Sequence, residues 1–120
     1  VEGDADLIKR ANKNAENNGI SNTDLHVANL MEDVSGAAWL KNDYDKLLLD
    51  PPRSGAKEML PYIDKMNIKH IVYVSCNPST LARDAGTLVN EMGYTLEKAG
   101  IMDMFPHTAH VESIALFTKK

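Results

Sequence analysis

The sequence has little of what marks secreted proteins, membrane proteins and proteins that coat nucleic acid. Cys76 is the only cysteine among 120 residues, which excludes an internal disulfide framework and favours a reducing, cytoplasmic location. No apolar run reaches the roughly 18 residues of a membrane-spanning helix, and no signal peptide is visible. The net charge of −4 argues against a chain that grips nucleic acid by itself. It does not exclude an enzyme whose basic surface lies elsewhere in a longer polypeptide.

The chain also lacks repeats, linkers and low-complexity segments, and its length suits one domain or a piece of one. It has no start methionine, and its first residues, VEGD, look like the end of a strand that leads directly into a helix. We therefore expect a fragment that begins within a domain.

Apolar patterning predicts strands that alternate with helices. Helical spacing with start and stop signals predicts helices over residues 5–18, 31–42, 55–66 and 78–92. Apolar and β-branched runs predict strands over residues 24–30, 45–50, 69–75, 94–104 (with a kink near Gly100) and 111–118. The continuous leucines of the second strand suggest burial on both faces. This order predicts an α/β fold with a parallel sheet and, from its last two strands, an antiparallel closing hairpin.

Polar or reactive residues follow the apolar runs at Glu2, Asn29, Asp50 and Cys76. Ligands of open α/β sheets bind beyond the carboxyl ends of the strands, so these residues should share one rim. Glu2 can accept hydrogen bonds from a ribose diol, or it is a solvated acid near a helix N-terminus. Asn29 can pair with a purine edge, or it is a turn residue.

Asp50 leaves a buried strand and is followed by Pro51, Pro52 and Arg53. Because two consecutive prolines lack N–H donors, this loop holds its shape without ladder bonds and can form one wall of a planar pocket. The alternative is a simple strand terminator. The combination LLLDPPR favours the functional interpretation.

Cys76 ends an apolar strand and is followed by Asn77 and Pro78. A cysteine in such a place is usually a small buried hydrophobe. Asparagine is a favoured N-cap and proline a favoured first helical residue, so Cys76 is expected directly before a helix N-terminus. The helix dipole there favours a thiolate, and Arg83 is a candidate for added positive charge. Cys76 is therefore a candidate nucleophile.

The tail MFPHTAHVES gathers His107, His110 and Glu112. Two histidines and a glutamate suggest a metal site, but the segment looks like a loop entering a strand, and no further ligand cluster completes the set. We expect no metal. Glu112 is either an outward-facing residue of an edge strand or a general base beside the rim.

The segments VEGD, VANL, LLLDPPRSG, IVYVSCNPSTLARD and MDMFPHTAHVES together closely resemble the RNA 5-methyluridine methyltransferases. The resemblance covers essentially the whole chain, and it is greatest to the members that methylate a uridine of 23S ribosomal RNA. The last two segments are very specific, whereas VEGD alone is weak. The resemblance implies a Rossmann-like class I methyltransferase fold, S-adenosyl-L-methionine as cofactor and a role in rRNA processing.

The resemblance assigns roles residue by residue. Glu2 matches the acid that binds the cofactor ribose, Asn29 a polar residue near its adenine, and Asp50 the acid near the methyl donor and target base. Cys76 matches the catalytic nucleophile, and Glu112 matches the general base.

The implied reaction explains these residue types. A thiolate that adds to C6 of uracil makes C5 nucleophilic enough to accept a methyl group, and a base then removes the C5 proton. One cysteine and one carboxylate suffice, whereas release of 5-methylcytidine typically uses a second cysteine. We further expect Arg53, His107 and His110 to bind the RNA substrate.

Some parts of the family pattern are missing. The glycine-rich motif after the first strand, an N-terminal OB-fold domain and a four-cysteine iron–sulfur segment do not occur in this sequence. We therefore expect residues 1–120 to be the C-terminal fragment of a single catalytic domain, inactive when isolated, with any iron–sulfur cluster confined to the missing N-terminal part.

Two further expectations concern partners and alternatives. The strand at 45–50 should expose an unpaired edge that either pairs with another copy or is covered by a shifted 24–30 strand. Two other functions remain open: an amino-group methyltransferase with a structural cysteine, and a non-catalytic nucleotide-binding domain.

Overall fold

The computed structural model describes residues 1–120 and divides into two units, Val1–Gly36 and Ala37–Lys120. The helices are α1 (Ala5–Asn17), α2 (Leu60–Met66) and α3 (Pro78–Asn90), with 3₁₀ turns at Ala38–Lys41 and Lys57–Met59. The strands are β1 (Lys46–Leu49), β2 (His70–Ser75), β3 (Tyr94–Met102) and β4 (Glu112–Lys119). None of these helices combines the length and apolar character needed to cross a bilayer.

In the first unit, α1 begins at a side-chain cap. Asp4 accepts hydrogen bonds from the backbone N–H groups of Asp6 at 2.8 Å and Leu7 at 3.3 Å. These bonds satisfy two of the donors that the start of a helix leaves without partners. The helix predicted over residues 5–18 is confirmed, and it ends one residue early, at Asn17.

The strand predicted over residues 24–30 is wrong. The structure holds a single parallel bridge between Glu2 and Val27, in which Glu2 N donates to His26 O and Ala28 N donates to Glu2 O, both at 3.0 Å. After Glu2 the bridge is not continued, because the chain enters α1 at Ala5.

The helix predicted over residues 31–42 is also mostly wrong, because only its last part forms a 3₁₀ turn. Upstream, polar side chains bond the backbone instead. Asn29 Oδ1 accepts from Met31 N at 3.1 Å, and Asp33 Oδ1 accepts from Ser35 N at 2.9 Å. Such local bonds compete with helical ones.

The second unit contains a four-stranded sheet in the order β1-β2-β4-β3. β1 and β2 are parallel, whereas β4 runs antiparallel to both of its neighbours, β2 and β3. The prediction of parallel strands followed by an antiparallel closing pair is therefore confirmed. Residues 24–30 form no strand in this sheet, and β1 lies at its edge. Pairing of that edge with a second copy stays a prediction.

One face of the two central strands, β2 and β4, is buried. Across their ladder, Ile71 lies opposite Phe117 and Tyr73 lies opposite the small Ala115. The fully buried large side chains of this unit are Tyr73, Tyr94, Phe117, Ile63, Ile68, Ile71 and Leu88. Complete burial of an aliphatic or aromatic side chain stabilises a fold by about 1.5–3 kcal/mol, so this layer is the main support of the sheet.

β1 corrects the expectation of burial on both faces. Leu49 is buried, but Leu48, on the opposite face, is 68% exposed. An unbroken apolar run indicates that its residues are suited to burial. It does not show that other elements pack on both faces of the strand.

The helix predicted over residues 55–66 forms as two short pieces, the 3₁₀ turn and α2. Pro61 lies in the first turn of α2, where its missing N–H costs nothing. The helix predicted over residues 78–92 forms as α3 and ends two residues early, at Asn90. The predicted kink in β3 lies at Glu97, which the register with β4 skips, and not at Gly100.

Two buried tyrosines make the stability depend on pH. The hydroxyl of Tyr73 donates to Asp84 Oδ2 at 2.6 Å, and that of Tyr94 donates to Ile68 O at 2.6 Å. Burial raises the pKa of Tyr73 far above its usual value, and the hydrogen bond to Asp84 raises it further. Burial also raises the pKa of Tyr94, with a contribution from the charge of Asp64.

We expect these tyrosines to stabilise the fold up to about pH 10 and to lose that contribution as the pH rises further. Unfolded tyrosine releases its proton near pH 10, whereas each folded group releases its proton at a higher pH. Between its unfolded and folded pKa values, each group lowers the free energy of unfolding by up to about 1.4 kcal/mol per pH unit. Urea unfolding between about pH 9 and 12 measures the slope. Tyr73→Phe and Tyr94→Phe should each make this slope shallower by the contribution of one proton. An unchanged slope in the double variant would contradict the expectation.

Candidate active site

The topology brings three of the predicted site residues to one edge of the sheet. Asp50 and Cys76 directly follow the parallel strands β1 and β2, so both lie at the carboxyl ends of these strands. Glu112 begins β4, which runs the opposite way and therefore starts at the same edge. The last pair of the β2–β4 ladder joins Ser75 to Ser113. Cys76 and Glu112 are the sequence neighbours of the two residues in that last pair.

A tight turn holds Cys76 at this edge. Ser75 is 1% exposed, and its hydroxyl donates to Asn77 O at 2.9 Å and accepts from Asn77 N at 3.0 Å. Both bonds join Ser75 to Asn77, the residues before and after Cys76. The cysteine itself is half-buried and its thiol is free, so the group is held in place and remains partly accessible.

The predicted helix start after Cys76 is confirmed. Asn77 is the N-cap, its Oδ1 accepts from Ser79 N at 3.1 Å, and Pro78 is the first helical residue. The expectation that Arg83 adds charge beside the thiol is replaced by another role. Its Nη2 lies 2.8 Å from the carboxylate of Asp84.

The loop that follows β1 is fastened to α3 by side chains of the helix. Asn77 Nδ2 donates to Arg53 O at 3.1 Å, and Thr80 Oγ1 donates to the same oxygen at 3.0 Å. Arg83 Nη2 donates to Ser54 O at 2.9 Å. The loop that carries Asp50 and the helix that follows Cys76 are therefore bound to each other directly.

Asp84 of α3 also takes part in this attachment. Its carboxylate is 1% exposed and accepts from Ala56 N at 2.8 Å and from the Tyr73 hydroxyl at 2.6 Å. Arg83 donates to Oδ1 through Nε at 2.8 Å, and its Nη2 lies 2.8 Å from the same oxygen as an ion pair. A buried carboxylate is costly unless it is paired and hydrogen-bonded, and here both oxygens are satisfied.

Gly55 is required by this arrangement. Its φ is +84°, and an added Cβ would lie 2.6 Å from Arg83 Nη2, 2.7 Å from Asp84 Oδ2 and 3.1 Å from Thr80 Cβ. Any other residue would be strained in its backbone and would push the helix side chains away from the loop.

The connection between β3 and β4 leaves the sheet at the same edge, because Met102 pairs with Glu112. Thr108 N donates to Phe105 O at 3.2 Å across a turn whose third residue, His107, has a positive φ of 63°. His110 contacts the Phe105 ring edge-on, with centroids 6.5 Å apart. His107 and His110 are both exposed on this loop, where an incoming substrate can reach them.

Arg53 contributes its backbone oxygen to the loop attachment, while the residue as a whole is exposed. Its guanidinium therefore extends from a fixed backbone. Position and charge both suit contact with a phosphate, since arginine is a common phosphate ligand.

Glu2 and Asn29 lie in the first unit, on the two segments joined by the single bridge. Glu2 Oε1 accepts from Asp4 N at 3.1 Å, and its side chain is exposed. Asn29 accepts from Met31 N and donates to Glu32 Oε1, both at 3.1 Å. The turn role weighed for Asn29 is therefore present, and cofactor binding by both residues stays a prediction.

Sequence reasoning missed the residues that fasten the loop. Thr80 and Asp84 follow Asn77 by three and seven positions, a spacing that sets all three on one helical face. A polar stripe on a helix that must cover an apolar sheet signals bonds to another backbone segment. No group of three or more histidine, cysteine, aspartate or glutamate side chains is arranged to hold a metal ion.

Comparison with known proteins connects this geometry to a family. A family model described as tRNA (uracil-5-)-methyltransferase matches residues 6–120. The chain belongs to the tRNA (uracil-5-)-methyltransferase family. The resemblance seen in the sequence is thereby confirmed.

Relatives in the tRNA (uracil-5-)-methyltransferase family match along the whole chain. It is 60% identical over 120 residues to a Stenotrophomonas maltophilia protein named 23S rRNA (uracil(1939)-C(5))-methyltransferase RlmD. It is 58% identical over 120 residues to a Xanthomonas oryzae protein of the same name. All of this chain is covered in each case, but only 27% of the relative. The chain thus spans about a quarter of the length of these curated relatives.

Solved structures confirm the expected fold class. Pyrococcus abyssi tRNA (uracil-54, C5)-methyltransferase, in complex with S-adenosyl-L-homocysteine, superposes with a TM-score of 0.77 and 32% identity over 97% of this chain and 27% of that one. The METTL16 methyltransferase domain superposes with a TM-score of 0.63 at 16% identity, over 98% of this chain and 48% of that one. At that identity it shows the fold alone, a Rossmann-like methyltransferase arrangement.

We expect Gly55→Ala to lower the free energy of unfolding by about 2–4 kcal/mol, the combined cost of a left-handed backbone and an overpacked contact. Gly86→Ala is the matched control, because Gly86 lies inside α3 and the nearest atom to an added Cβ is 3.9 Å away. That change should raise stability by about 0.5–1 kcal/mol. Urea unfolding of both variants measures the difference, and equal effects would refute the role given to Gly55.

Proposed function

We propose that the protein containing this chain methylates C5 of a uridine in 23S ribosomal RNA, with S-adenosyl-L-methionine as methyl donor. The observation that carries the proposal is the meeting of Cys76, Glu112 and Asp50 at one edge of the sheet. A thiol and a carboxylate on adjacent strands are the two groups that substitution at an unreactive pyrimidine carbon needs. Membership of the family and the identity to proteins named as 23S rRNA methyltransferases support it.

Cys76 acts as the nucleophile. Its thiolate sulfur forms a bond to C6 of the uracil, and the π electrons of the C5–C6 double bond move to C5, which becomes enolate-like. C5 would then take a methyl group from the sulfonium of the bound cofactor, and the electron pair of the broken carbon–sulfur bond would stay on that sulfur, leaving a neutral thioether. The turn closed by Ser75 and Asn77 keeps the sulfur in place for this attack, which lowers the entropy lost on reaching the transition state.

Glu112 acts as the general base. It removes the proton from the methylated C5, and the electrons of that C–H bond re-form the C5–C6 double bond. The bond between C6 and sulfur breaks, and the Cys76 thiolate is regenerated. Glu112 is half-buried at the start of β4, so it is held by the sheet on one side and remains reachable on the other.

The cofactor supplies an electrophilic methyl group when it is bound. The donor set of this chain fits its polar parts. Glu2 offers an exposed carboxylate to ribose hydroxyls, which are donors. Asn29 offers an amide to adenine. Binding adenine would replace the hydrogen bonds that Asn29 makes to Met31 and Glu32 in this structure. Asp50 directly follows β1, and we assign it a place near the methyl donor and the target base.

We assign RNA contact to Arg53, His107 and His110, which are exposed around this edge. With a net charge of −4, the chain contributes little to general attraction of the phosphate backbone, so most of the affinity for RNA is assigned to other parts of the protein. The substrate is proposed to be 23S rRNA over tRNA because identity is 60% to the former class of relative and 32% to the latter.

RNA that contains 5-fluorouridine tests the nucleophile. The fluorine at C5 cannot leave as a cation, so the methylated adduct should persist as a covalent protein–RNA complex that is visible after denaturing electrophoresis. The complete protein carrying this sequence is the material, with 23S rRNA and tRNA fragments compared side by side. Cys76→Ala should abolish the complex.

Glu112→Gln tests the base with ordinary uridine. Removal of the C5 proton should slow by on the order of 10²–10⁴-fold, so the covalent complex should accumulate without fluorine. A complex that survives Cys76→Ala, or methylation that survives Cys76→Ser, would overturn the mechanism. Cofactor binding without methylation of any RNA would overturn the enzymatic function.

A further inference from the structure

Beneath the predicted catalytic edge lies a buried carboxylate that the proposed chemistry does not use. We propose that Asp84 is a positioning residue that fixes the loop 50–56 relative to the strand ending before Cys76. The proposal rests on the proposed function, because the reaction it serves is methyl transfer at that edge. It is carried by the contacts of the two oxygens of Asp84 and by where those contacts lead.

The two oxygens hold different parts of the structure. Oδ2 accepts from Ala56 N at 2.8 Å and from the Tyr73 hydroxyl at 2.6 Å, so it ties the far end of the loop to β2. Oδ1 accepts from Arg83 Nε at 2.8 Å, and Arg83 in turn donates to Ser54 O at 2.9 Å, so it holds the middle of the loop.

The near end of the loop is fixed to the same residue of β2. Leu49, the residue before Asp50, pairs with Tyr73 in the parallel ladder. Tyr73 thus holds the start of the loop through its backbone position and the end of the loop through its hydroxyl and Asp84. Since Tyr73 is three residues before Cys76, the loop and the thiol share one rigid support.

A carboxylate is not needed here for stability alone. Replacing a buried ionic group and its partners by apolar residues of similar volume is often neutral or stabilising. The carboxylate accepts three hydrogen bonds of fixed direction, which an apolar residue cannot. We therefore infer that Asp84 serves to fix the geometry of the loop. Reactions between positioned groups are sensitive to displacements of about 1 Å.

Asp84→Asn is the most selective variant. The amide oxygen, in the place of Oδ2, keeps the bonds to Ala56 and Tyr73, whereas the NH₂ group in the place of Oδ1 faces the Arg83 guanidinium, donor against donor. Arg83 should release Ser54 as a result. In the complete protein, we expect kcat to fall on the order of 10²-fold while KM for RNA stays unchanged.

A pair of tyrosine variants supplies a matched comparison. Tyr73→Phe and Tyr94→Phe each remove one hydroxyl from a fully buried tyrosine that donates at 2.6 Å. Tyr94 lies at the start of β3, at the opposite end of the sheet from Glu112. We expect Tyr73→Phe to lower kcat about tenfold, the value of one hydrogen bond, and Tyr94→Phe to leave kcat unchanged.

Amide hydrogen exchange at Ala56 provides a readout that does not depend on activity. It should be faster in Tyr73→Phe than in Tyr94→Phe, because only the former loosens the acceptor of that N–H group. If Asp84→Asn does not fold, the tyrosine pair decides. A wild-type rate in folded Asp84→Asn, or equal losses in the two tyrosine variants, would overturn the proposal.

The same measurements separate this proposal from the proposed function. If the wild-type protein methylates no uridine and forms no adduct, the proposed function fails. Exchange at Ala56 then still decides whether Asp84 fixes the loop: faster exchange in Tyr73→Phe supports it, and equal exchange in the two variants refutes it.

Discussion

The attachment of the loop 50–56 to one face of α3 is the constraint on which the candidate site depends. A loop with two prolines cannot hold itself by ladder bonds, because two of its donors are absent. Here its oxygens at Arg53 and Ser54 and its N–H at Ala56 are all bonded by side chains of the helix and its cap. Since that helix starts directly after Cys76, the loop and the thiol are set relative to each other by a few short bonds.

The sheet supplies the second half of the geometry. A parallel pair followed by an antiparallel strand brings two strand ends and one strand start to the same edge. The antiparallel direction of β4 is what brings Glu112 to the edge that carries Cys76, since a parallel strand in that position would begin at the other edge. The buried pairs of the β2–β4 ladder fix this register, because a slip of one residue would turn Ala115 and Phe117 out of the core.

Much of the fold was predictable because its signals are local. The runs at β1, β2 and β4 and the cap Asn77-Pro78 are short patterns with one favoured structure each. The strand at 24–30 and the helix at 31–42 were wrong for different reasons: in the first the pairing segment enters α1 shortly after Glu2, and in the second Asn29 and Asp33 bond the backbone. The positions of Cys76 and Asp50 followed from strand ends, whereas that of Asp84 did not, because its partners are 11 and 28 residues away in sequence.

The buried polar groups and the partly exposed groups at this edge have different roles. The groups that hold geometry, Ser75 and Asp84, are almost fully buried with their hydrogen bonds satisfied. The groups proposed to react, Cys76 and Glu112, are only half-buried. A reactive group must meet its substrate, so it cannot be held by burial on all sides and needs fixed neighbours instead. The buried polar bonds under the edge thus provide the order that the exposed chemistry requires, and substitutions there should disturb the reaction before they disturb substrate binding.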